Sequence, residues 1–124
     1  MNYFVTGGTG FIGRFLIRKL IAERKGAVVY ALIRESSKHK LDTLRAQCGA
    51  DEKNLIPVWG DVTQAGLTDE ATAQKLKTLK NKIGVVYHLA AVYDMGMTEE
   101  QGDQINNEGT RNVVEFVNGL GGNV

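Results

Sequence analysis

Cysteine, histidine and proline are scarce in this sequence, and each scarcity excludes a class of protein. Cys48 is the one cysteine among 124 residues, so no disulfide framework can staple the fold. With only His39 and His88 beside it, no metal-ligand spacing arises, and no metal site is expected. Charge of one sign is equally short. The 15 basic side chains are set against 14 acidic ones, which lacks the electrostatic footprint of a nucleic-acid or membrane-surface binder. No apolar run approaches the roughly 20 residues of a membrane span. Met1 leads directly into an apolar run, which leaves no room for a signal peptide. A cytoplasmic chain that buries one ordinary core is the expectation.

What is present is alternation. Asn2 to Thr6 is a short apolar run of β-formers ended by glycines, and Phe11 to Lys25 then takes up helical period. Ile12, Phe15, Leu16 and Leu20 mark the helix face expected to pack on a sheet, and Gly26 stands where a left-handed C-terminal cap belongs. Ala27 to Ile33, Asn54 to Trp59 and Val85 to Leu89 are nearly continuous apolar runs, as in parallel strands covered on both faces. Helices are expected over Lys38 to Cys48, Asp69 to Leu79 and Asp103 to Leu120. Right-handed crossovers turn this alternation into an α/β doubly wound parallel sheet, a Rossmann fold of about four strands in the order 3-2-1-4. Pro57 removes a ladder donor from the third strand, which predicts an edge position or a bulge there. Gly119 to Asn123 reads as the loop after the last helix, with no fifth strand behind it.

Between the first strand and the first helix lies Thr6-Gly7-Gly8-Thr9-Gly10-Phe11-Ile12-Gly13. Gly7 permits a sharp turn, Gly10 lets the backbone approach a phosphate, and Gly13 allows close packing of the helix on the sheet. Amides at the helix start, with the positive end of its dipole, then suit the pyrophosphate of a dinucleotide. The strand before, the helix after and the following βαβ unit supply the context that such a turn needs. Asp61, at the end of the third strand, stands where a carboxylate meets a ligand in the switch-point crevice, a reading preferred to the simple cap of a turn. His88 reads as a packed strand-end residue rather than a catalyst.

With GxxGxxG spacing, the turn resembles that of the extended short-chain dehydrogenase/reductase superfamily, whose motif is TGxxGxxG. Three further stretches resemble its motifs in order. Gly60-Asp61-Val62 looks like the stretch in which the aspartate and the next amide contact adenine. His88-Leu89-Ala90-Ala91 looks like the stretch lining the nicotinamide ribose. Asn106-Asn107-Glu108-Gly109-Thr110-Arg111-Asn112-Val113 looks like the N-x-x-G-T-x-N-V helix. The resemblance places Thr6, Gly7, Thr9, Gly10, Phe11, Ile12, Gly13, Asp61, Val62, Leu89, Ala90 and Ala91 at the cofactor. It puts Asn106 on the asparagine that supports a catalytic lysine through water. LIRESS after the second strand and YHLAAVYDM after the fourth look most like the acyl-CoA and thioester reductase branch.

About 20 residues beyond the glycines, an NAD site usually has an acidic side chain and an NADP site an arginine. Here stand Ile33, Arg34 and Glu35, with Ser36, Ser37 and Lys38 as further donors. Arg34 argues for NADP(H); Glu35 keeps NAD(H) as the alternative. The superfamily's Tyr-x-x-x-Lys pair is missing, because Gly7, Arg34, Ala91 and Met97 follow the four tyrosines at that spacing. The expectation is therefore residues 1–124 as the N-terminal, dinucleotide-binding portion of a longer reductase, inactive alone. Its substrate is a small molecule or acyl thioester, with Tyr93 and Asp94 bordering the substrate pocket and self-association through the fourth strand or the neighbouring helix face. A nucleotide-sugar epimerase or dehydratase and a non-catalytic dinucleotide sensor share the same motifs and stay open here.

Overall fold

The structure, a computed structural model, describes residues 2–8, 10–62, 67–69, 71–72, 74, 83–89 and 98–120. Four strands, β1 (Asn2–Thr6), β2 (Val28–Ile33), β3 (Leu55–Trp59) and β4 (Ile83–His88), form one sheet in the order β3-β2-β1-β4. Every pairing is parallel, as the near-continuous apolar runs predict. Pro57 lies opposite Ala31 on β3, an edge strand of the sheet, where a missing donor is tolerated.

Period-two alternation splits the core between the two faces of the sheet. Tyr3, Val5, Val29, Ala31, Ile33 and Leu55 face one side, under α1 (Phe11–Glu23) and α2 (Leu41–Cys48). Phe4, Leu32 and Val58 face the other with Val113 and Phe116 of α3 (Glu99–Leu120), the Phe4 and Phe116 rings 5.2 Å apart between centroids. Both faces of the described sheet are thereby covered by helices.

Four expectations about the helices need correction. The sheet-facing side of α1 is Gly13, Ile17 and Leu20, with Leu16 and Ile21 packed beside them; Ile12 and Phe15 face outward, 69% and 59% exposed. Apolar residues surround the N-terminal half of α1, so periodicity alone left its rotation ambiguous. The close approach at Gly13 decides it. The helix also ends at Glu23, its C-cap Arg24 donating to the Leu20 carbonyl, so Gly26, at φ +77°, lies two residues beyond the cap. Before α2 the chain first makes a tight 3-10 stretch, Glu35–Lys40. Finally, α3 begins at Glu99, four residues before the expected start, because Thr98 and Gln101 form a reciprocal capping box, each backbone N–H donating 3.1 Å to the other's side-chain oxygen.

Of the helix expected over Asp69 to Leu79, the described part is its start. The Thr72 amide and hydroxyl both donate to the Asp69 carboxylate, at 2.7 and 3.0 Å, and hold that acid below its ordinary pKa.

Candidate dinucleotide site

The turn after β1 is closed by Gly10 N–H donating to Gly7 O at 3.1 Å, with Gly7 in the left-handed region at φ +76°. A Cβ at Gly13 would lie 2.0 Å from Gly7 O and 2.8 Å from the Gly8 Cα. Gly13 therefore lets α1 approach the turn's own backbone, which refines the expected approach to the sheet. Gly8, to which sequence reasoning gave no role, is buried, and a Cβ there would meet Ile17 Cδ1 at 2.8 Å.

Gly10 differs from both. A Cβ on it would meet one atom, Gly7 O, at 3.4 Å, and its φ of −76° suits any residue. Packing within the protein therefore does not demand glycine at this position. Gly10 is also the N-cap of α1, without a side-chain hydrogen bond, and no acidic residue stands in the first turn. The positive end of this helix dipole is thus left without a counter-charge from the first turn.

Around this turn the strand ends converge. Thr6, expected at the cofactor, is fully buried, which leaves its side chain no surface for a ligand. Its hydroxyl lies 2.6 Å from His88 Nδ1 and accepts the Leu89 N–H at 3.1 Å, joining the ends of β1 and β4. His88 Nε2 lies 3.2 Å from Thr110 Oγ1 on α3, and burial lowers the imidazole pKa below its ordinary value. This is the packed strand-end role expected for His88. Leu89 has its amide engaged by Thr6 and its side chain exposed.

At the other end of the sheet, Gly60 has no room for a Cβ, which would sit 2.0 Å from Leu67 O. Asp61, half-buried, donates its backbone N–H to that same carbonyl at 2.8 Å. Val62 is buried in the core under α3, and its carbonyl accepts Asn112 Nδ2–H at 2.8 Å. Arg34 is exposed immediately after β2, and Ile33 is buried. Lys38 Nζ sits 5.5 Å from the centroid of the Trp59 ring at the end of β3, whereas Ser37, counted among the outward donors, is buried. Phe11 and Ile12 turn their side chains to solvent, so a contact with phosphate there is one for their amides. Asn106 is half-buried on α3, its carbonyl accepting the Thr110 hydroxyl. Thr9, Ala90, Ala91, Tyr93 and Asp94 lie outside the described residues.

The pattern of the male sterility protein family of NAD-binding domains matches residues 5–123. The chain belongs to that family. It is an NAD(P)-binding domain of the extended short-chain dehydrogenase/reductase type, in the branch of fatty acyl-CoA reductases and thioester reductase domains. It is 31% identical to a putative fatty acyl-CoA reductase of Drosophila melanogaster, over 93% of this chain and 25% of the relative. Among solved structures, the terminal R domain of the myxalamid biosynthetic pathway superposes with a TM-score of 0.69 at 25% identity, covering 94% of this chain and 31% of that one. Gre2 of Candida albicans, solved in complex with NADPH, superposes with a TM-score of 0.75 at 25% identity, covering all of this chain and 35% of that one. This family member thus spans about a quarter of the fly reductase and a third of the two solved chains. Among the described residues, no helix is long and apolar enough to cross a membrane, and no cluster of metal-ligating side chains forms.

Proposed function

We propose that the chain is the NADP(H)-holding part of a reductase that takes an acyl thioester as substrate. The observation that carries the cofactor half is Gly10, a glycine that the protein's own packing does not require, at an uncapped helix start. Amides of Phe11, Ile12 and Gly13 hold the pyrophosphate in this reading, Gly7 shapes the turn beneath it, and Thr9 is a further contact of the cofactor. Asp61 and Val62 meet the adenine, and Leu89, Ala90 and Ala91 line the nicotinamide end. Arg34 pairs with the 2′-phosphate, and Lys38, steadied over Trp59, adds a second cation. A bound cofactor supplies the hydride; these residues bind and orient it.

The thioester half of the reading draws on the fly relative, whose name is that of a fatty acyl-CoA reductase. Tyr93 and Asp94 border its substrate pocket, and Asn106 supports the catalytic residues of the whole protein. Residues 1–124 are the dinucleotide-binding portion in this proposal, with the Tyr-x-x-x-Lys pair elsewhere in the parent protein. Cytoplasmic location and self-association of the isolated chain belong to the same proposal, and cell fractionation checks the first. Isothermal titration with NADPH and NADH tests the cofactor assignment: tighter NADPH binding supports it, and equal affinities overturn the preference.

A further inference from the structure

The N-x-x-G-T-x-N-V stretch of α3 does more than cover the sheet. Gly109 faces Val62, where an added Cβ would come within 3.4 Å of Val62 Cγ2. One turn on, Asn112 reaches the same residue and donates Nδ2–H to its backbone carbonyl at 2.8 Å, across 50 residues of sequence. Val113 and Phe116 lie beyond, buried with the Val62 side chain in one cluster. The segment so held is the start of the connection after β3, folded on itself by two bonds, Asp61 N–H to Leu67 O at 2.8 Å and Thr68 Oγ1 to Trp59 O at 2.6 Å, and tied to the end of β2 by a third, Gly60 N–H to Ile33 O at 3.0 Å. Those bonds fix Gly60 and Asp61 relative to the sheet. The Asn112 bond ties Val62, the next residue along, to α3.

We propose that Asn112 is a positioning residue for the adenine end of the dinucleotide site. By holding the Val62 carbonyl toward α3, it fixes the peptide plane after Val62, while the Asp61 N–H bond to Leu67 O fixes the plane before Asp61; the Asp61 side chain and the Val62 amide lie between these two anchors and take their direction from them. The inference rests on the reading that Asp61 and Val62 meet adenine, and it assigns no ligand contact to Asn112 itself. An isosteric aspartate places an acceptor against that carbonyl, so the turn rotates away even though the helix volume is unchanged.

The test uses the 124-residue chain with adenosine 2′,5′-bisphosphate as probe. Asn112→Asp and Asn112→Leu are expected to weaken probe binding about tenfold, the scale of one hydrogen bond's loss, and NADPH binding by the same factor. Val29→Ala, a cavity variant near the start of β2 in the core on the other face of the sheet, lowers the unfolding midpoint but leaves probe affinity unchanged, which separates positioning from general loosening. A folded Asn112→Asp chain that binds the probe like wild type overturns the proposal. If neither Asn112 variant folds, wild type decides by NMR: the probe must shift the Asn112 side-chain amide along with the Asp61 backbone amide. Movement of Asp61 alone overturns the role of Asn112. A wild-type chain that does not bind the probe at all overturns the adenine assignment and this inference with it.

Discussion

The hydroxyl of Thr110 fixes the tautomer of His88. Thr110 donates its one proton to the Asn106 carbonyl at 3.0 Å, so toward His88 Nε2 it can only accept. Nε2 therefore carries the hydrogen. Nδ1 keeps its lone pair and accepts from Thr6, whose oxygen in turn accepts the Leu89 N–H. The bonds run in one direction, from the end of β4 through Thr6 and His88 to α3, and they need a neutral imidazole.

A pH dependence follows from this chain of bonds. Burial lowers the folded-state pKa of His88, whereas the unfolded chain's imidazole keeps a value of about 6.5. Above about pH 6.5 both states are neutral and the stabilisation is complete; as the pH falls toward the folded pKa, the unfolded state binds the proton the fold refuses. Urea midpoints are expected to fall between about pH 7.5 and about pH 5.5, and to fall less in His88→Gln. Identical pH slopes in the variant and wild type would sink the assignment.

The glycines of the turn separate by what they face. Gly13→Ala drives a methyl into the Gly7 carbonyl and is expected to cost at least about 3 kcal/mol, the upper end of overpacking. Gly10→Ala places its methyl at 3.4 Å from that carbonyl, so the unfolding midpoint should hold while NADPH affinity drops more than about tenfold. Thermal unfolding and titration on both variants check the contrast. A Gly10→Ala chain that binds normally means the phosphate is not held here.

The strand order was legible because β-runs of near-unbroken apolar residues alternate with helical period, and right-handed crossovers leave few topologies. The place of Pro57 was legible for a similar reason, since an edge strand accommodates it. The rotation of α1 was not, because Phe11, Ile12, Phe15, Leu16 and Ile17 offer apolar residues on every side and only the close approach at Gly13 selects a face. The capping box at Thr98 and Gln101 was present in the sequence and overlooked. The partners of Asn112 and Thr110 could not be read at all, since both bonds join elements brought together only by the fold.

Selectivity between the two nicotinamide cofactors should reside at the end of β2. Arg34→Ala is expected to remove most of the preference for NADPH, and Lys38→Ala a smaller part. Each weakens NADPH by roughly tenfold or less and leaves NADH nearly unchanged, because the lost partner is the 2′-phosphate. Titration of both variants with both cofactors measures this. An equal loss for NADH would make Arg34 an adenine or backbone contact instead.

Leu67 is fully buried and has φ +64°, a conformation bulky residues rarely adopt. Its side chain is part of the core under α3 while its carbonyl accepts the Asp61 N–H. Leu67→Ala should therefore cost about 2–5 kcal/mol in urea unfolding and weaken adenosine 2′,5′-bisphosphate binding as well. A stability loss without any change in probe affinity would uncouple the anchor from the turn.

The last prediction concerns association. Among the described residues β4 pairs with β1 alone, so its outer edge offers unpaired backbone groups, and most of its residues are only half-buried. Apolar side chains are exposed elsewhere too: Phe11 at 80%, Ile12 and Phe15 along α1, and Val114 on α3. Lys19 lies over the Phe15 ring at 5.8 Å, which shields part of that ring with a charge and favours the β4 edge as the stickier surface. The isolated chain is expected to self-associate through β4 at micromolar concentrations, as bare parallel edges do unless blocked. Val86→Lys, placing a charge on that strand, should shift the distribution toward monomer, whereas Phe15→Lys should shift it less. Sedimentation equilibrium across a concentration series measures both, and a wild-type chain that stays monomeric throughout, with a high unfolding midpoint, would show that this edge is protected in the folded chain.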